Sequence, residues 1–279
     1  MSSNKNSNIL IETLKAQAEI FGDELYFSMD LKNSFLKQKD EVKQMINTIK
    51  KSEISEEDSV NFKFNFMSNN KAKKNDIQTN STTNLINSEF IKASTVSELE
   101  NLINSCKKCA LGETRNKFVF GTGNPNADIM LIGEAPGADE DKTGEPFVGR
   151  AGQLLTKILE AINIKREDVF IANILKCRPP NNRTPFPEEI STCIPYLKKQ
   201  IDLIKPKVIL CLGLTAANGL LNTKNSMIKM RGNVYEFHGV KLMVTYHPAA
   251  LLRNPNWKKE TWEDVQKFYK LYQDLLSKD

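Results

Sequence analysis

The chain has 279 residues, 40% hydrophobic and 26% charged, with no run of eighteen apolar residues. That length suits one large domain or two small ones, and the composition predicts no membrane span. The net charge is +5, and residues 1–95 hold thirteen Lys against thirteen Asp or Glu, so all of the excess lies beyond residue 95. This is compatible with a polyanionic partner but does not require one.

The first residues, Met-Ser-Ser-Asn-Lys-Asn, lack the apolar core and cleavage site of a secretory signal, so a cytoplasmic location is expected. Five cysteines in such a chain read as thiols or metal ligands rather than disulfides, and all five lie after residue 105. In residues 1–50, Ile9, Leu10, Leu14, Ala18 and Phe21, then Leu31, Phe35, Val42, Ile46 and Ile49, recur at helical spacing and predict a helical extension. Residues 51–93 read as a disordered linker rich in Lys, Asn, Ser and Thr. Within it, Val60, Phe62, Phe64 and Phe66 alternate with polar residues, either as a sticky spot or as a short motif that docks on a partner protein.

Order is expected from Ser94 onward, as one domain over 94–279. Thr95 and Glu98 have capping-box spacing and predict a helix to about Ser105. Strands follow at Ile129–Ile132, Val169–Ala172 and Val208–Leu212, and helices at Ala151–Ile162, Glu188–Ile204 and Glu260–Leu276. His238-Gly239 reads as the turn of a hairpin joining Val234–Phe237 to Val240–Thr245. Strands alternating with helices predict a three-layer α/β/α fold with a mainly parallel central sheet. Gly133-Glu134, Asn173, Gly213 and His247 each fall at the C-terminal end of a core strand, where open α/β sheets form their ligand crevice.

Cys106 and Cys109 form a C-x-x-C pair, with Cys177 and Cys193 downstream, all expected in loops or at element ends. Four convergent thiolates make a zinc or an iron–sulfur site. Cys211, inside an apolar strand, reads as core. The segment from Gly133 to Gly152 is Gly-rich and acidic, and fits neither common phosphate-binding loop.

That segment resembles the first motif of the family 4 uracil-DNA glycosylases. His247-Pro-Ala-Ala-Leu-Leu-Arg-Asn-Pro255 resembles their second motif, and the four cysteines resemble their [4Fe-4S] ligands. Asn173, ahead of Lys176-Cys-Arg-Pro-Pro, matches a further family position, and together the motifs cover about residues 98–275. The resemblance implies hydrolysis of the N-glycosidic bond of deoxyuridine in single- or double-stranded DNA, with the base flipped into a pocket. It implies that Phe147 stacks on uracil within a pocket that includes Gly133, Ala135 and Pro136. Asn173 would pair with the N3–H and O4 edge, and His247 would donate to O2 as charge develops there. Glu134 is the expected water-handling carboxylate, with Glu140 or Asp141 able to orient water or hold the loop. Leu251, Leu252 and Arg253 would enter the DNA where the base leaves, and Lys176 and Arg178 would meet the backbone or stay solvated. The cluster on Cys106, Cys109, Cys177 and Cys193 is expected to be structural, with zinc as the alternative metal. A monomer is expected.

Two other readings stay open from the residues: a protein that captures uracil sites without turnover, and a polymerase-associated docking protein. The first is disfavoured because Pro146-Phe-Val-Gly-Arg-Ala-Gly152 runs straight into a helix with no inserted His. The second is disfavoured by the intact set Glu134, Phe147, Asn173 and His247.

Overall fold

The structure is a computed structural model that describes Ala18, Ile20 and residues 89–278. Ala18 and Ile20 are helical, with Ile20 buried. The rest of the expected N-terminal helices, the linker before residue 89 and the Val60–Phe66 alternation lie outside the described residues.

In chain order the regular elements are α1 (Val96–Ile103), α2 (Leu111–Thr114), β1 (Thr122–Gly123), β2 (Ile129–Gly133), α3 (Ala138–Thr143), α4 (Arg150–Glu160) and β3 (Phe170–Asn173). There follow α5 (Pro187–Ile204), β4 (Val208–Leu212), α6 (Leu214–Leu221), α7 (Met227–Met230), β5 (Val234–Phe237), β6 (Val240–Thr245), α8 (Pro248–Arg253) and α9 (Lys258–Leu276). The expected strands and long helices are present, with ends displaced by a residue or two. β1, α2, α6 and α7 were not expected, and two further elements emerge where loops were expected: α3 inside the acidic Gly-rich segment, and α8 after His247. A 3-10 turn over Glu89–Lys92 also lies inside the stretch read as linker. Its Phe90 packs edge-on against Tyr196, with ring centroids 4.9 Å apart. Among the described residues no helix is long and apolar enough to cross a membrane.

Thr95 caps α1, its hydroxyl oxygen accepting from the Glu98 N–H at 3.1 Å. The Glu98 carboxylate reaches back past Thr95 and accepts from the N–H and hydroxyl of Ser94, both at 2.8 Å. The hairpin turn has φ of +50° at His238 and +79° at Gly239. Two consecutive left-handed residues match the right-handed twist of the strands they join. His238 is pinned by Asp202 at 2.7 Å, in keeping with a structural role.

The sheet order is β1-β3-β2-β4-β6-β5. β3, β2, β4 and β6 run parallel, and β1 and β5 add antiparallel edges. Met130, Ile132, Phe170, Ala172, Ile209, Cys211, Leu242 and Val244 form one core with Leu99, Leu197, Ile201 and Ala217 of α1, α5 and α6. The alternate residues Leu131, Ile171, Leu210 and Met243 are equally buried, so the opposite face is covered as well. Leu155, Leu251, Val265 and Phe268 of α4, α8 and α9 are buried outside the first core. This is the expected three-layer arrangement. From β2 the chain moves outward to β3, then crosses back beyond β2 to β4. The strand order therefore reverses beside β2, and a ligand crevice belongs at the carboxyl ends there.

Candidate active site

A cleft of about 330 Å³ opens at those strand ends, lined by Glu134, Ala135, Pro136, Glu140, Phe147, Asn173, His247 and Arg253 among others. Gly133 does not line it but makes room for it. Gly133 and Asn173 are register partners across β2 and β3. A Cβ on Gly133 would stand 2.5 Å from Asn173 Oδ1 and 2.7 Å from Phe147 Cζ, so a side chain there would displace both.

Phe147 is held in a left-handed conformation, φ +54°, which is costly for a bulky residue. Three groups impose it. The Arg166 guanidinium donates to the carbonyls of Pro146 and Phe147 at 2.9 and 3.0 Å. The Glu140 carboxylate accepts from the N–H groups of Val148 and Gly149 at 3.0 and 3.1 Å. Gly152 supplies the clearance: a Cβ there would lie 1.7 Å from the Phe147 carbonyl oxygen. The ring so placed stacks on His247, with centroids 5.3 Å apart and planes 28° apart.

Asn173 is buried, and its Oδ1 has no hydrogen-bond partner among the described residues. Leaving such an acceptor dry and unpaired costs about 1–3 kcal/mol. An orphaned amide at the wall of a cleft is built for a ligand with a donor to offer.

His247 caps α8, its Nδ1 accepting from the Ala249 N–H at 3.1 Å. Burial, with a smaller push from the Arg253 charge, pulls its pKa down to about 4. The ring is therefore neutral near pH 7, and because Nδ1 accepts, Nε2 carries the proton. Burial also raises the Glu134 pKa, against a hydrogen bond from Thr215 and the Arg253 charge.

Of the two roles expected of Glu140 and Asp141, orienting water or holding the loop, both side chains take the second, and the expectations for Leu251 and Lys176 are corrected. Glu140 is not free to handle water: its other oxygen accepts from the Gly137 N–H at 3.1 Å, so both are engaged by backbone. Asp141 likewise holds the chain, accepting from the backbone N–H of Asn116 at 2.9 Å. Leu251 is fully buried and cannot enter DNA, whereas Leu252 is 40% exposed and Arg253 is exposed. Lys176 neither contacts solvent nor reaches a DNA backbone. It is 0% exposed, donating to Asn173 O at 3.0 Å and Gln200 Oε1 at 2.7 Å, while Gln200 donates to Phe120 O at 3.0 Å. Arg178 is half-buried, its Nε donating to Asn182 at 2.8 Å.

Sequence reasoning missed Arg166, Thr215 and Arg183. Thr215 follows the end of β4 and was within reach of the strand-end rule. Arg166 lies after α4 with no motif around it. Arg183 and its neighbours Pro179 and Asn182 line the cleft mouth from the loop after Cys177.

Cys106, Cys109 and Cys177 lie in loops, but Cys193 lies inside α5, against expectation. A helix side chain can reach the site because α5 packs against α1 and the turn beyond it. Tyr196 donates its hydroxyl to Cys106 Sγ, and Arg115 donates to Cys177 Sγ, both at 3.2 Å. Cys177 feels the charges of Cys109 and Cys106, and Cys193 those of Cys177 and Cys106, so all four belong to one neighbourhood. Burial raises the Cys177 thiol and pushes Cys193 up to about 12. Among the described residues no three Cys, His, Asp or Glu side chains are closed up as a finished metal site. Cys211 is buried in β4.

Comparison with known proteins agrees with this geometry. The model of the uracil DNA glycosylase superfamily matches residues 120–266. A type-4 uracil-DNA glycosylase of Archaeoglobus fulgidus is 48% identical over 177 residues, covering 61% of this chain and 89% of that protein. One from Thermotoga maritima is 47% identical over 169 residues, covering 59% and 88%. A DNA polymerase of Bacillus phage SP01 is 31% identical over 157 residues, 56% of this chain but 17% of the polymerase. With its family model spanning more than half of its length and such relatives matched almost end to end, this chain belongs to the uracil-DNA glycosylase superfamily, alongside its type-4 members.

Proposed function

We propose that this protein excises uracil from DNA by hydrolysing the N-glycosidic bond of deoxyuridine, as the names of its type-4 relatives indicate for them. The observation that carries the reading is the buried, unpartnered Asn173 Oδ1 beside the Phe147–His247 stack. A flipped uracil slides over Phe147 and offers its N3–H to that oxygen, while the Asn173 amide donates to O4. The Nε2–H of the neutral His247 meets O2, where negative charge gathers as the bond to the sugar breaks. A donor placed there binds the transition state more strongly than the ground state. Glu134, ionised, faces the sugar, steadies its developing positive charge and orients the attacking water. Leu252 fills the gap left in the stack and Arg253 meets phosphate. The substrate is single- or double-stranded DNA containing uracil, handled by a monomer.

We also propose that Cys106, Cys109, Cys177 and Cys193 hold a [4Fe-4S] cluster. Support comes from the convergence of four thiols in one neighbourhood, and from the Tyr196 and Arg115 donors that complement thiolate charge. The cluster's role is structural: it ties the loop after α1 to the loop after β3 and to α5.

The test is release of free uracil by the full chain from single- and double-stranded oligonucleotides, in single turnover. Glu134→Gln and His247→Gln should each slow it by at least tenfold, and Glu140→Gln should act only through loop stability. No release by the native protein refutes the activity, and a band of protein joined to DNA that resists denaturation favours capture without turnover. Protein purified without oxygen should be brown, and colourless protein with one zinc refutes the iron–sulfur assignment.

A further inference from the structure

The loop from Pro179 to Phe186 carries an exposed aromatic that the proposed excision chemistry does not use. Phe186 is 52% exposed, yet it is rigidly held. It lies between Pro185 and Pro187, which restrict the backbone on both sides. Its N–H donates to Glu189 Oε2 at 2.8 Å. The same carboxylate takes both arms of the Arg183 guanidinium, at 2.9 and 2.6 Å, and the guanidinium carbon sits 3.8 Å from the Phe186 ring centroid. Glu189 is almost wholly buried, whereas the Arg183 side chain keeps 32% of its surface. Arg183 also lines the mouth of the cleft beside Asn182.

We propose that the Arg183–Phe186 pair is a stacking platform for the base next to the extruded uridine. The inference rests on the reading of this protein as a uracil-DNA glycosylase. The bidentate carboxylate fixes the plane of the guanidinium and offsets its charge. What remains for a partner is the outer surface of this guanidinium–ring stack, weakly hydrated and still exposed, with Arg183 at the rim of the pocket that takes the uracil. Aromatic rings and guanidinium planes both stack on unpaired bases, whatever the base identity. The prolines and the ion pair hold the platform in place before DNA arrives, so little side-chain freedom is lost on binding. A phosphate clamp would look different, with a free cation and a steep salt dependence.

The experiment measures Kd for the full chain on single-stranded oligonucleotides carrying 2′-fluoro-2′-deoxyuridine, whose fluorine slows cleavage. An abasic spacer replaces the 5′ or the 3′ neighbour in turn. Phe186→Ala should bind the unmodified-neighbour strand about tenfold more weakly, the loss of one base stack. Phe186→Trp should bind like the native protein. A spacer on one side should weaken native binding by the same factor and leave Phe186→Ala unaffected, with equal slopes of log Kd against log salt. Equal Kd for native and Phe186→Ala protein overturns the proposal. So does a spacer penalty that persists undiminished in the variant on both sides, or a salt slope shallower by about one. Uracil release from ordinary deoxyuridine strands by native protein is scored separately. Its absence refutes the enzymatic reading rather than the platform.

Discussion

Gly152 leaves no room for a side chain against Phe147: an added Cβ would lie 1.7 Å from the Phe147 carbonyl oxygen. The first residues of α4 thus set the position of the aromatic that forms the floor of the pocket. Gly152→Ala should push Phe147 off His247 and lower kcat/KM by at least about a hundredfold, by analogy with small misplacements at reacting centres. Arg166→Ala should act in the same direction more mildly, since it frees two carbonyls without a clash. Arg166→Lys should recover only part of the loss, because one ammonium cannot hold both carbonyls and also replace the second arm, which donates to Thr156 Oγ1 at 3.3 Å. Single-turnover excision with substrate titration checks this. If Gly152→Ala retains native kcat/KM, the clamp is not what positions the ring.

Acid should inactivate the protein through Glu134 and not through His247. Burial raises the Glu134 pKa, so on acidification the carboxylate takes up its proton at a higher pH than an exposed Glu would. His247, pulled down to about 4, stays neutral and keeps its Nε2–H throughout that range. The rate should therefore fall by about tenfold per pH unit below the Glu134 pKa, with no separate limb from His247 at about pH 6.5, where an ordinary His titrates. A pH–rate profile in Glu134→Gln should be slower and lack the acid limb. A limb that survives in this variant would place the titration elsewhere.

Asn173→Ala should separate stability from activity. The Oδ1 atom is buried without a partner, so its removal relieves a desolvation cost of about 1–3 kcal/mol against the loss of some packing. The melting temperature should not fall, while kcat/KM for uracil drops by about a hundredfold through two unmade base-edge bonds. A large drop in melting temperature would mean that the amide is a structural bridge.

Lys176 and Gln200 should behave as one unit. Each alone leaves buried groups short of a partner: Lys176→Met removes the donor from Gln200 Oε1 and Asn173 O, and Gln200→Leu leaves the ammonium with Asn173 O alone and takes the donor from Phe120 O. Each should cost about 2–3 kcal/mol. The double variant should lose less than the sum, because the lysine–amide pair disappears together. Denaturant unfolding of all four proteins measures this. Strict additivity would mean that the bond between them contributes nothing.

Much of the site was legible because its signals are local. A strand shows itself by a short apolar run, and its end by the first polar or glycine residue after it. That rule alone brought Glu134, Asn173, Gly213 and His247 to one edge of the sheet. The hairpin at His238-Gly239 was equally plain, since a two-residue turn of this kind needs left-handed residues. The cysteine spacing announced a shared thiol neighbourhood, and the motif resemblance added the family.

The amino-acid sequence by itself therefore determined the order of the strands β2 to β6 and of the helices α1, α4, α5 and α9, the strand-end polar residues and the pairing of Cys106 with Cys109 against two distant thiols. The tertiary structure alone decided what each polar group spends its bonds on. Glu140 and Glu134 are the same side chain in the same motif and both line the cleft, but Glu140 spends both oxygens on backbone N–H groups whereas Glu134 meets the Thr215 side chain. Lys176 and Arg178 read alike as basic residues beside Cys177, but Gln200 of α5 closes over the first, while the second is half-buried and donates to Asn182. Leu251 and Leu252 are neighbours, and the helical turn of α8 sends one into the core and one outward. Burial and bond partners come from elements far away along the chain, and periodicity says nothing of which distant groups they bring.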